Sequence, residues 1–307
     1  MKPEELYNKR ILLSPLNWGM GHVSRCIGLV DQLRSQNNEV IIACSESQRV
    51  VFKEYFDDLT YVLHAPYPFK FGKKGWFSFD LLRQFRRLNR RRRKELVEVA
   101  QLVKEHAVDI IISDHRYGFQ NELTYSIFVT HQLNLPLLWY EAFIQQIHKK
   151  LIKKFNGVWV MDFADSRLSG ELSRNTPLFT VDYIGPYSRF QLYSMPNKKD
   201  NLTVLVASGP AVYAQQLVDK FADQDAQSKV MLIASDEIET NGLPIIHGWR
   251  EQDQKMLMAN LIISRSGYST IMDLHYLGVK AELVPTPRQR EQEYLAKLYE
   301  TKKRSTN

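Results

Sequence analysis

Residues 10–22 read RILLSPLNWGMGH and join an apolar strand candidate to a glycine-containing turn. Residues 10–14 have the composition of a buried strand, and Gly19 and Gly21 let the backbone turn tightly after it. The amphipathic pattern of residues 24–36 predicts a helix directly behind the turn. A strand, a glycine turn and a helix in this order indicate a Rossmann-like α/β unit, with the helix N-terminus directed at a ligand.

The rest of the first half repeats this alternation of short apolar runs and longer amphipathic stretches. The predicted strands are residues 40–44, 110–113, 137–140 and 158–161, and residues 95–105 have a helical pattern. Strands that read as continuous apolar runs, separated by helices, are typical of a parallel sheet covered on both faces. We therefore expect the first half of the chain to form one α/β domain.

A turn-rich stretch at residues 182–200 separates this half from a second alternation. Its prolines, glycine and asparagine are typical of a linker, and we place the domain boundary between residues 185 and 186. Beyond it the predicted strands are residues 202–207, 230–234, 244–246, 261–264 and 281–284. The sequence thus predicts two Rossmann-like domains, residues 1–185 and 186–307, that face each other across a cleft.

The composition fits a folded protein of two domains. The chain has 307 residues, of which 44% are hydrophobic, enough for a core in each domain. Its only cysteines, Cys26 and Cys44, exclude a disulfide framework and a structural zinc site built from cysteine. No apolar run approaches the roughly 18 residues of a membrane span, and residues 1–10 lack the apolar core of a secretion signal. We expect a cytoplasmic protein.

Positive charge is concentrated in one segment. Residues 81–94 read LLRQFRRLNRRRRK, with seven arginines, one lysine and no acidic residue. The chain has 41 Lys and Arg and 34 Asp and Glu, a net charge of +7, so the remainder carries about −1 (7 − 8). The four arginines at residues 90–93 span about 300° of a helix, so no single buried face can hold them.

This segment predicts a contact with an anionic membrane surface through Arg83 to Lys94, at the inner face of the cytoplasmic membrane. A solvated helix face is the alternative. Nucleic acid is not expected as a partner, because the run lacks interleaved aromatic residues and the chain shows no recognisable nucleic-acid module.

His22 is the candidate general base of the first loop. The loop departs from a nicotinamide-binding motif, because Ser24 replaces the third glycine and Glu46 lies 27 positions beyond Gly19. A histidine at a helix start beside a glycine turn can exchange a proton with a ligand. A tight turn without a ligand is the alternative.

A second polar group follows the strand predicted at residues 110–113. Asp114, His115 and Arg116 are candidates for acceptor contact or for a second acid/base group, and an ordinary polar turn is the alternative. Asp162 and Asp165 are the other close carboxylates, and we interpret them as caps or solvent contacts. We expect no metal site and no cofactor.

The first loop resembles a known family. Gly19-Met20-Gly21-His22, followed by Ser24-Arg25-Cys26, is similar to the N-terminal loop of family 28 glycosyltransferases, which have the GT-B fold. Residues 21–26 also resemble the loop of a nucleotide-sugar hydrolase. This loop therefore implies a GT-B-like protein without deciding between sugar transfer and hydrolysis.

A segment of the second domain resembles the same family. Residues 265–273, RSGYSTIMD, are similar to its Arg-Ser-Gly segment, which has an acidic residue eight positions after the arginine. Small residues and hydroxyls at a helix N-terminus suit a diphosphate, and the acidic residue resembles the carboxylate that binds ribose hydroxyls. A capped helix without a ligand is the alternative. The substrate contacts implied here are Arg265, Ser266, Gly267, Ser269, Thr270 and Asp273.

Further positions complete the implied donor site. Residues 284–294, VPTPRQREQEY, stand where the family has its sugar-recognition segment, which implies sugar contacts for Gln292 and Glu293. The loop at residues 208–210, which contains Gly209, resembles the family's second glycine loop but lacks a second glycine. The resemblance implies a substrate contact for Gly209. Trp249 either stacks on a uracil or fills the core.

The resemblance implies transfer of a sugar from a nucleotide-diphosphate sugar, UDP-linked, to an acceptor hydroxyl. The implied enzyme is a hexosyltransferase that needs no metal, and the arginine-rich segment is consistent with a lipid-linked acceptor at a membrane. A nucleotide-sugar hydrolase and a non-catalytic nucleotide-sugar-binding protein remain as alternatives.

Overall fold

A computed structural model describes residues 1–69, 77–138, 141–175, 180–222 and 229–305. The chain divides into two compact units, Met1–Arg189 and Phe190–Asn307, and the boundary predicted between residues 185 and 186 lies just before this division. Each unit is built on its own parallel sheet.

The first unit contains a seven-stranded sheet with the order β3-β2-β1-β4-β5-β6-β7. Strands β1 and β4 are neighbours although β2 and β3 lie between them in the chain, and Ser14 pairs in register with Ser113. This reversal of strand order is a topological switch point, where open α/β sheets bind ligands at the strands' carboxyl ends. The strands are β1 (Arg10–Pro15), β2 (Glu39–Cys44), β3 (Thr60–Leu63), β4 (Ile110–Asp114), β5 (Tyr125–Thr130), β6 (Gly157–Val160) and β7 (Asp182–Tyr183).

Helices pack against the buried central strands of this sheet. The helices are α1 (Gly21–Ser35), α2 (Glu46–Tyr55), α3 (Phe77–Glu105) and α4 (Ala142–Ile152). Val99 and Leu102 of α3 join a core cluster with Leu12 of β1 and Ile111 of β4. The second half of α3 is therefore anchored by ordinary hydrophobic burial.

Gly118 permits a close approach between α3 and the turn after β4. A Cβ atom at this position would lie 2.6 Å from the Arg92 carbonyl oxygen and 2.6 Å from Glu95 Oε2. Because real Cβ atoms do not come so close to backbone, only glycine lets α3 sit directly on this turn.

The second unit contains a four-stranded sheet with the order β11-β10-β8-β9. Its core cluster forms where Leu217 and Val218 of α5 contact Leu205 of β8 and Leu232 of β9. The strands are β8 (Leu202–Ala207), β9 (Lys229–Ala234), β10 (Leu261–Ser264) and β11 (Lys280–Leu283). The helices are α5 (Ala211–Ala222), α6 (Trp249–Met258), α7 (Tyr268–Leu277) and α8 (Arg290–Ser305).

Two predicted strands are wrong. Leu137 and Leu138 lie outside any strand, residues 139–140 lie outside the described residues, and the strand in this region is β5. Residues 244–246 contribute only one isolated parallel bridge, between Ile245 and Leu232. Both segments are short apolar runs next to proline, which lacks the N–H group that a ladder requires.

The arginine-rich segment also differs from its prediction. It is continuous with residues 95–105 in the single helix α3. The four arginines at residues 90–93 do not all face solvent: Arg91 is buried and its Nη1 donates to Glu98 Oε2 at 2.8 Å. No helix within the described ranges is long and apolar enough to span a membrane.

Candidate functional site

Three neighbouring strands of the first unit end in polar residues at the switch point. Asp114 is the last residue of β4, His22 lies in the first turn of α1 behind β1, and His131 follows β5. Because β1, β4 and β5 are adjacent and parallel, their carboxyl ends meet at one edge of the sheet. The topology thereby brings residues that are distant in the sequence into one cluster.

His22 and Asp114, the two predicted catalytic residues, are in direct contact. His22 Nδ1 lies 2.7 Å from Asp114 Oδ2, and the side chains are 18% and 1% exposed. An ionised carboxylate only accepts hydrogen bonds, so a hydrogen bond between His22 and Asp114 requires the imidazole proton on Nδ1. Nε2 makes no hydrogen bond within the described residues and is then the basic nitrogen. This is the geometry of a histidine base oriented by a carboxylate.

Arg25 completes the cluster from the next turn of α1. It grips Asp114 as a fork, with Nη2 on Oδ1 and Nε 3.1 Å from Oδ2. Its Nη1 donates to His131 Nδ1 at 3.1 Å, and Nη2 lies 2.6 Å from His22 Nδ1. The neighbouring Ser24 is held in turn by Arg189, whose Nη1 donates to Ser24 Oγ at 2.7 Å.

The charges of this cluster set its protonation. Burial alone would raise the pKa of Asp114, but the adjacent Arg25 and His22 outweigh burial and lower that pKa to about 2. Burial and the positive charge of Arg25 lower the pKa of His22 more than Asp114 raises it. At neutral pH the cluster therefore contains an ionised Asp114 and an uncharged His22.

His115 has an unusual backbone and a nitrogen without a partner. Its φ of 58° lies in the left-handed region, which is costly for a residue with a Cβ. The ring centroid lies 5.5 Å from that of His22 and 5.3 Å from that of His131. Its buried Nε2 has no hydrogen-bond partner among the described residues.

Arg116 does not have the exposed position that acceptor contact requires. It is 1% exposed, and its Nε and Nη2 lie 2.8 and 2.6 Å from Oε1 of Glu95 on α3. Glu95 also accepts from Tyr67 Oη and lies 3.1 Å from His64 Nε2. These residues form a second buried network that joins α3 to the β4 turn.

Asp162 and Asp165, the other close carboxylates of the sequence, make structural contacts. Asp162 is fully buried and accepts from the backbone of Phe163, Leu168 and Ser169 and from the hydroxyls of Ser169 and Ser173. Asp165 accepts from the Arg167 backbone. Across the part of the chain that the structure describes, no group of three or more His, Cys, Asp or Glu is arranged to hold a metal ion.

In the second unit, the predicted donor contacts lie on the loops that follow β8 and β10 and on the first two turns of the helices α6, α7 and α8. Gly209 follows β8 with a φ of 94°, a conformation that favours glycine. Arg265 follows β10 but differs from its predicted role. It is 4% exposed, and its Nη1 donates to the carbonyls of Val284 and Pro285 at 3.3 and 3.2 Å. Its Nη2 donates to the Tyr213 carbonyl, so the guanidinium ties these segments together.

The loop after β10 meets the start of α8. Ser266 Oγ donates to the Gln292 carbonyl at 2.8 Å, and Gln292 Oε1 accepts from the Thr286 backbone at 2.8 Å. Since that N–H needs an acceptor, the orientation of the Gln292 amide is fixed. Its NH₂ group makes no hydrogen bond within the described residues.

The other predicted donor contacts lie near the N-terminal ends of α6, α7 and α8. Gly267 is the N-cap of α7, Ser269 and Thr270 lie half-buried in its first turn, and Asp273 is buried one turn further on. Glu293 Oε1 accepts from the Arg288 backbone at 2.9 Å. Trp249 is the first residue of α6 and is half-buried, a position that leaves part of the indole exposed.

Arg25 stands in the first-loop motif and His131 outside every predicted site, and the part of neither residue in the cluster was predicted from the sequence. The helical spacing of Arg25 three positions after His22 was a usable signal, because such residues share a helix face. The pairing of His131 with Arg25 carried no local signal, since it depends on the order of strands in the sheet. Glu95 was missed because it stands beside the arginine run and reads as a surface residue.

Residues 194–307 match the glycosyltransferase family 28 C-terminal domain, which confirms the resemblance for the second unit. Among curated proteins, none matches the sequence.

Solved structures with a similar fold are glycosyltransferases. The glycotransferase of kitacinnamycin covers 96% of this chain, with 84% of its own length aligned, a TM-score of 0.64 and 14% identity. Spinosyn rhamnosyltransferase SpnG complexed with thymidine diphosphate covers 95% of this chain, with 84% of its own length aligned, a TM-score of 0.62 and 13% identity. Glycosyltransferase SsfS6 of Streptomyces sp. SF2575, complexed with thymidine diphosphate, covers 96% of this chain, with 86% of its own length aligned, a TM-score of 0.62 and 16% identity. The predicted GT-B fold is confirmed.

Proposed function

We propose that this protein transfers a sugar from a nucleotide-diphosphate sugar to an acceptor hydroxyl. The observation that carries the proposal is the contact between His22 and Asp114 at the switch point of the first sheet. It occurs in a chain whose second unit matches the family 28 C-terminal domain. The pair supplies a base, and the second unit supplies the loops for a donor.

In the proposed reaction His22 Nε2 removes the proton of the acceptor hydroxyl. The hydroxyl oxygen forms a bond to the anomeric carbon of the sugar, and the bond from that carbon to the diphosphate breaks. The diphosphate leaves with the bonding electron pair. Asp114 keeps the His22 ring oriented through Nδ1, and the proton taken from the hydroxyl is held on Nε2.

The donor is proposed to bind at the loops of the second unit. The N-terminus of α7, with Ser269 and Thr270 in its first turn, favours the negative charge that develops on the leaving diphosphate. Gln292 offers a fixed amide NH₂ group to a sugar hydroxyl. In this proposal the N-terminus of α7 stabilises the leaving diphosphate, and no metal ion is required.

We propose a UDP-linked hexose as the donor. Two similar structures are complexes with thymidine diphosphate, which supports a pyrimidine nucleoside diphosphate. Trp249, half-buried at the start of α6, offers a partly exposed ring on which the base can stack.

We also propose that the acceptor is lipid-linked and that the protein acts at the inner face of the cytoplasmic membrane. This part of the proposal is supported by the basic surface of α3, which consists of Arg83, Arg86, Arg87, Arg90, Arg93 and Lys94. All six side chains are exposed. Their spacing of three and four residues places them along one side of the helix, as a surface contact requires.

The test combines donor binding with turnover. UDP, thymidine diphosphate and their hexose conjugates are screened for a rise in melting temperature, since a ligand that binds the native state stabilises it. Nucleotide release is then measured with and without a polyprenyl-diphosphate-linked sugar. For His22→Ala we expect a roughly 10²- to 10⁴-fold loss of kcat, the usual contribution of a general base, with donor affinity unchanged.

His106→Ala is the matched control, because this histidine lies in the same unit outside the cluster and its side chain has no role in the proposal. Full turnover by His22→Ala would remove His22 as the base. Donor binding without any nucleotide release would identify a binding protein instead of an enzyme.

Hydrolysis is the second candidate, favoured by the resemblance of residues 21–26 to a nucleotide-sugar hydrolase loop. In that reaction His22 activates water in place of the acceptor. Nucleotide release at a rate unaffected by acceptor would support hydrolysis, whereas release that accelerates on adding acceptor would support transfer.

A further inference from the structure

Arg25 is the most connected side chain of the buried cluster. It is 2% exposed and contacts Asp114 through two of its nitrogens, His22 through Nη2 and His131 through Nη1. A planar guanidinium that grips a carboxylate as a fork fixes the orientation of that carboxylate. The position from which Asp114 meets His22 is therefore set by Arg25.

The charge of the cluster depends on the same residue. Cys26 is uncharged because burial raises the pKa of its thiol, and His115 is uncharged because burial and Arg25 lower its pKa. His131 accepts at Nδ1 from Arg25 and so carries no proton there. The titratable groups around His22 and Asp114 are Arg25, Asp114 and His115, which contact His22, Cys26, which contacts Asp114, and His131, whose charge would lower the pKa of His22.

Only Asp114 and Arg25 then carry charges, and these charges cancel. A proton on His22 would leave this buried cluster with a net positive charge, which burial opposes. A histidine paired with a carboxylate alone behaves in the opposite way, because the unbalanced negative charge favours the imidazolium. Burial, together with the positive charge of Arg25, thus outweighs the usual effect of the carboxylate on the pKa of His22.

We propose that Arg25 is a positioning residue that neutralises Asp114 and thereby keeps His22 unprotonated, with its Nε2 lone pair available to accept a proton. The proposal rests on the proposed role of His22 as base. It adds the reason why this base is free at neutral pH although it contacts a carboxylate. Asp114 is left to orient the ring.

A second cluster in the same unit has the same composition. His64 Nε2 lies 3.1 Å from Glu95 Oε1, and Arg116 balances the carboxylate through its Nε and Nη2. His64 is 6% exposed and its pKa is also lowered, by burial first. Because His64 lies in the same unit and does not contact Arg25, its titration is an internal control for a general change in the fold of that unit.

The experiment is an NMR titration of the full-length protein with ¹⁵N-labelled histidine, following the ring nitrogens of His22. It needs neither donor nor acceptor, so it is independent of the turnover test. We expect His22 in the wild-type protein to titrate below the ordinary histidine range and to have its proton on Nδ1. In Arg25→Gln the titration moves to higher pH, while His64 does not move.

Two further variants separate charge from geometry. Arg25→Lys keeps the positive charge and loses the fork, so we expect a titration closer to the wild type than that of Arg25→Gln. Arg34→Gln is the matched control, since it removes an arginine of α1 that pairs with Asp58 at the surface. We expect it to leave the His22 titration unchanged.

If Arg25→Gln does not fold, the wild-type titration can still overturn the proposal. His22 titrating within or above the ordinary histidine range would overturn the proposal. So would an Arg25→Gln protein whose His22 titrates at the wild-type pH or lower. A failure of donor binding or turnover would contradict the proposed function and leave these titrations as they are.

Discussion

Gln292 and Arg265 show how two polar residues of the same loop region differ in what they can offer to a ligand. All but one of the Arg265 nitrogens are committed to backbone carbonyls, and the remaining Nε is buried. Gln292 uses only its carbonyl oxygen, on the Thr286 backbone, and keeps its NH₂ group. Of the two, Gln292 is the residue able to contact a sugar.

We predict that Gln292→Ala weakens the binding of a UDP-hexose about tenfold, the equivalent of one hydrogen bond to the ligand. UDP itself should bind unchanged, because the proposed contact is with the sugar. Isothermal titration calorimetry with both ligands measures the difference.

The matched control for this prediction is Gln289→Ala. Gln289 Oε1 accepts from the Gln292 backbone at 2.6 Å, so its loss loosens the same helix start and leaves the Gln292 amide in place. Equal weakening by both variants would assign Gln292 a structural role. Equal losses for UDP and UDP-hexose would place the contact on the nucleotide.

Helix α3 is anchored to the sheet by a buried ion pair as well as by its apolar side chains. Glu95 is fully buried within the helix and pairs with Arg116 of the β4 turn. Burial alone would raise the pKa of Glu95, but Arg116, His64 and Tyr67 outweigh burial and lower it. The Glu95 carboxylate is therefore ionised in the folded protein, and its negative charge compensates the positive charge of the buried Arg116.

We predict that Glu95→Gln lowers the free energy of unfolding by about 3 kcal/mol, because it leaves Arg116 buried without a counter-charge. Glu105→Gln, at the exposed end of the same helix, should change it by less than about 0.5 kcal/mol. Urea denaturation followed by tryptophan fluorescence measures both. Similar values for the two variants would show that the buried network contributes little.

Strands that the sequence predicts correctly are those whose side chains are nearly all apolar. Strands β1, β4 and β8 are of this kind, since parallel strands covered on both faces lack polar alternation. Strand β5 has a similar composition, and its Ser126, which is 1% exposed and donates to the Thr124 carbonyl at 2.9 Å, has buried counterparts in Ser14 of β1 and Ser113 of β4. Composition therefore does not explain why β5 was missed.

The candidate site could be predicted in its parts but not in its contacts. His22 and Asp114 are identifiable because each follows an apolar strand at a turn. Their contact requires β1 and β4 to be neighbours, which no local pattern states. The burial of Arg91 likewise depends on Glu98 and on the Ala65 carbonyl, which lies far from it in the sequence.

The net charge of +7 comes from residues 81–94 of α3, which carry eight positive charges and no negative one. Within residues 81–94, Arg91 is buried and Arg92 is half-buried, with its Nε donating to Asn89 Oδ1 at 3.1 Å. The remaining basic side chains are exposed and form the basic surface of α3. The exposed apolar residue Leu82 borders this basic surface and can enter the headgroup region of a bilayer.

We predict that replacing Arg86, Arg87, Arg90 and Arg93 together by Gln releases the protein from anionic vesicles at physiological salt. Each basic residue near an anionic leaflet contributes on the order of 1 kcal/mol, so vesicle affinity should fall by about 10³-fold. Arg91 is kept, because its loss would leave Glu98 without its closest partner. Co-sedimentation with phosphatidylglycerol vesicles measures the change.

The matched control removes the same charge from elsewhere in the first unit, by replacing Lys53, Lys150, Lys153 and Lys154 with Gln. These side chains are exposed, and both variants have a net charge of +3 (7 − 4). If long-range attraction by the net charge holds the protein at the vesicle, the two variants lose affinity equally. If α3 forms the contact, only the arginine variant is released, and raising the salt concentration weakens wild-type binding more steeply than that of the arginine variant.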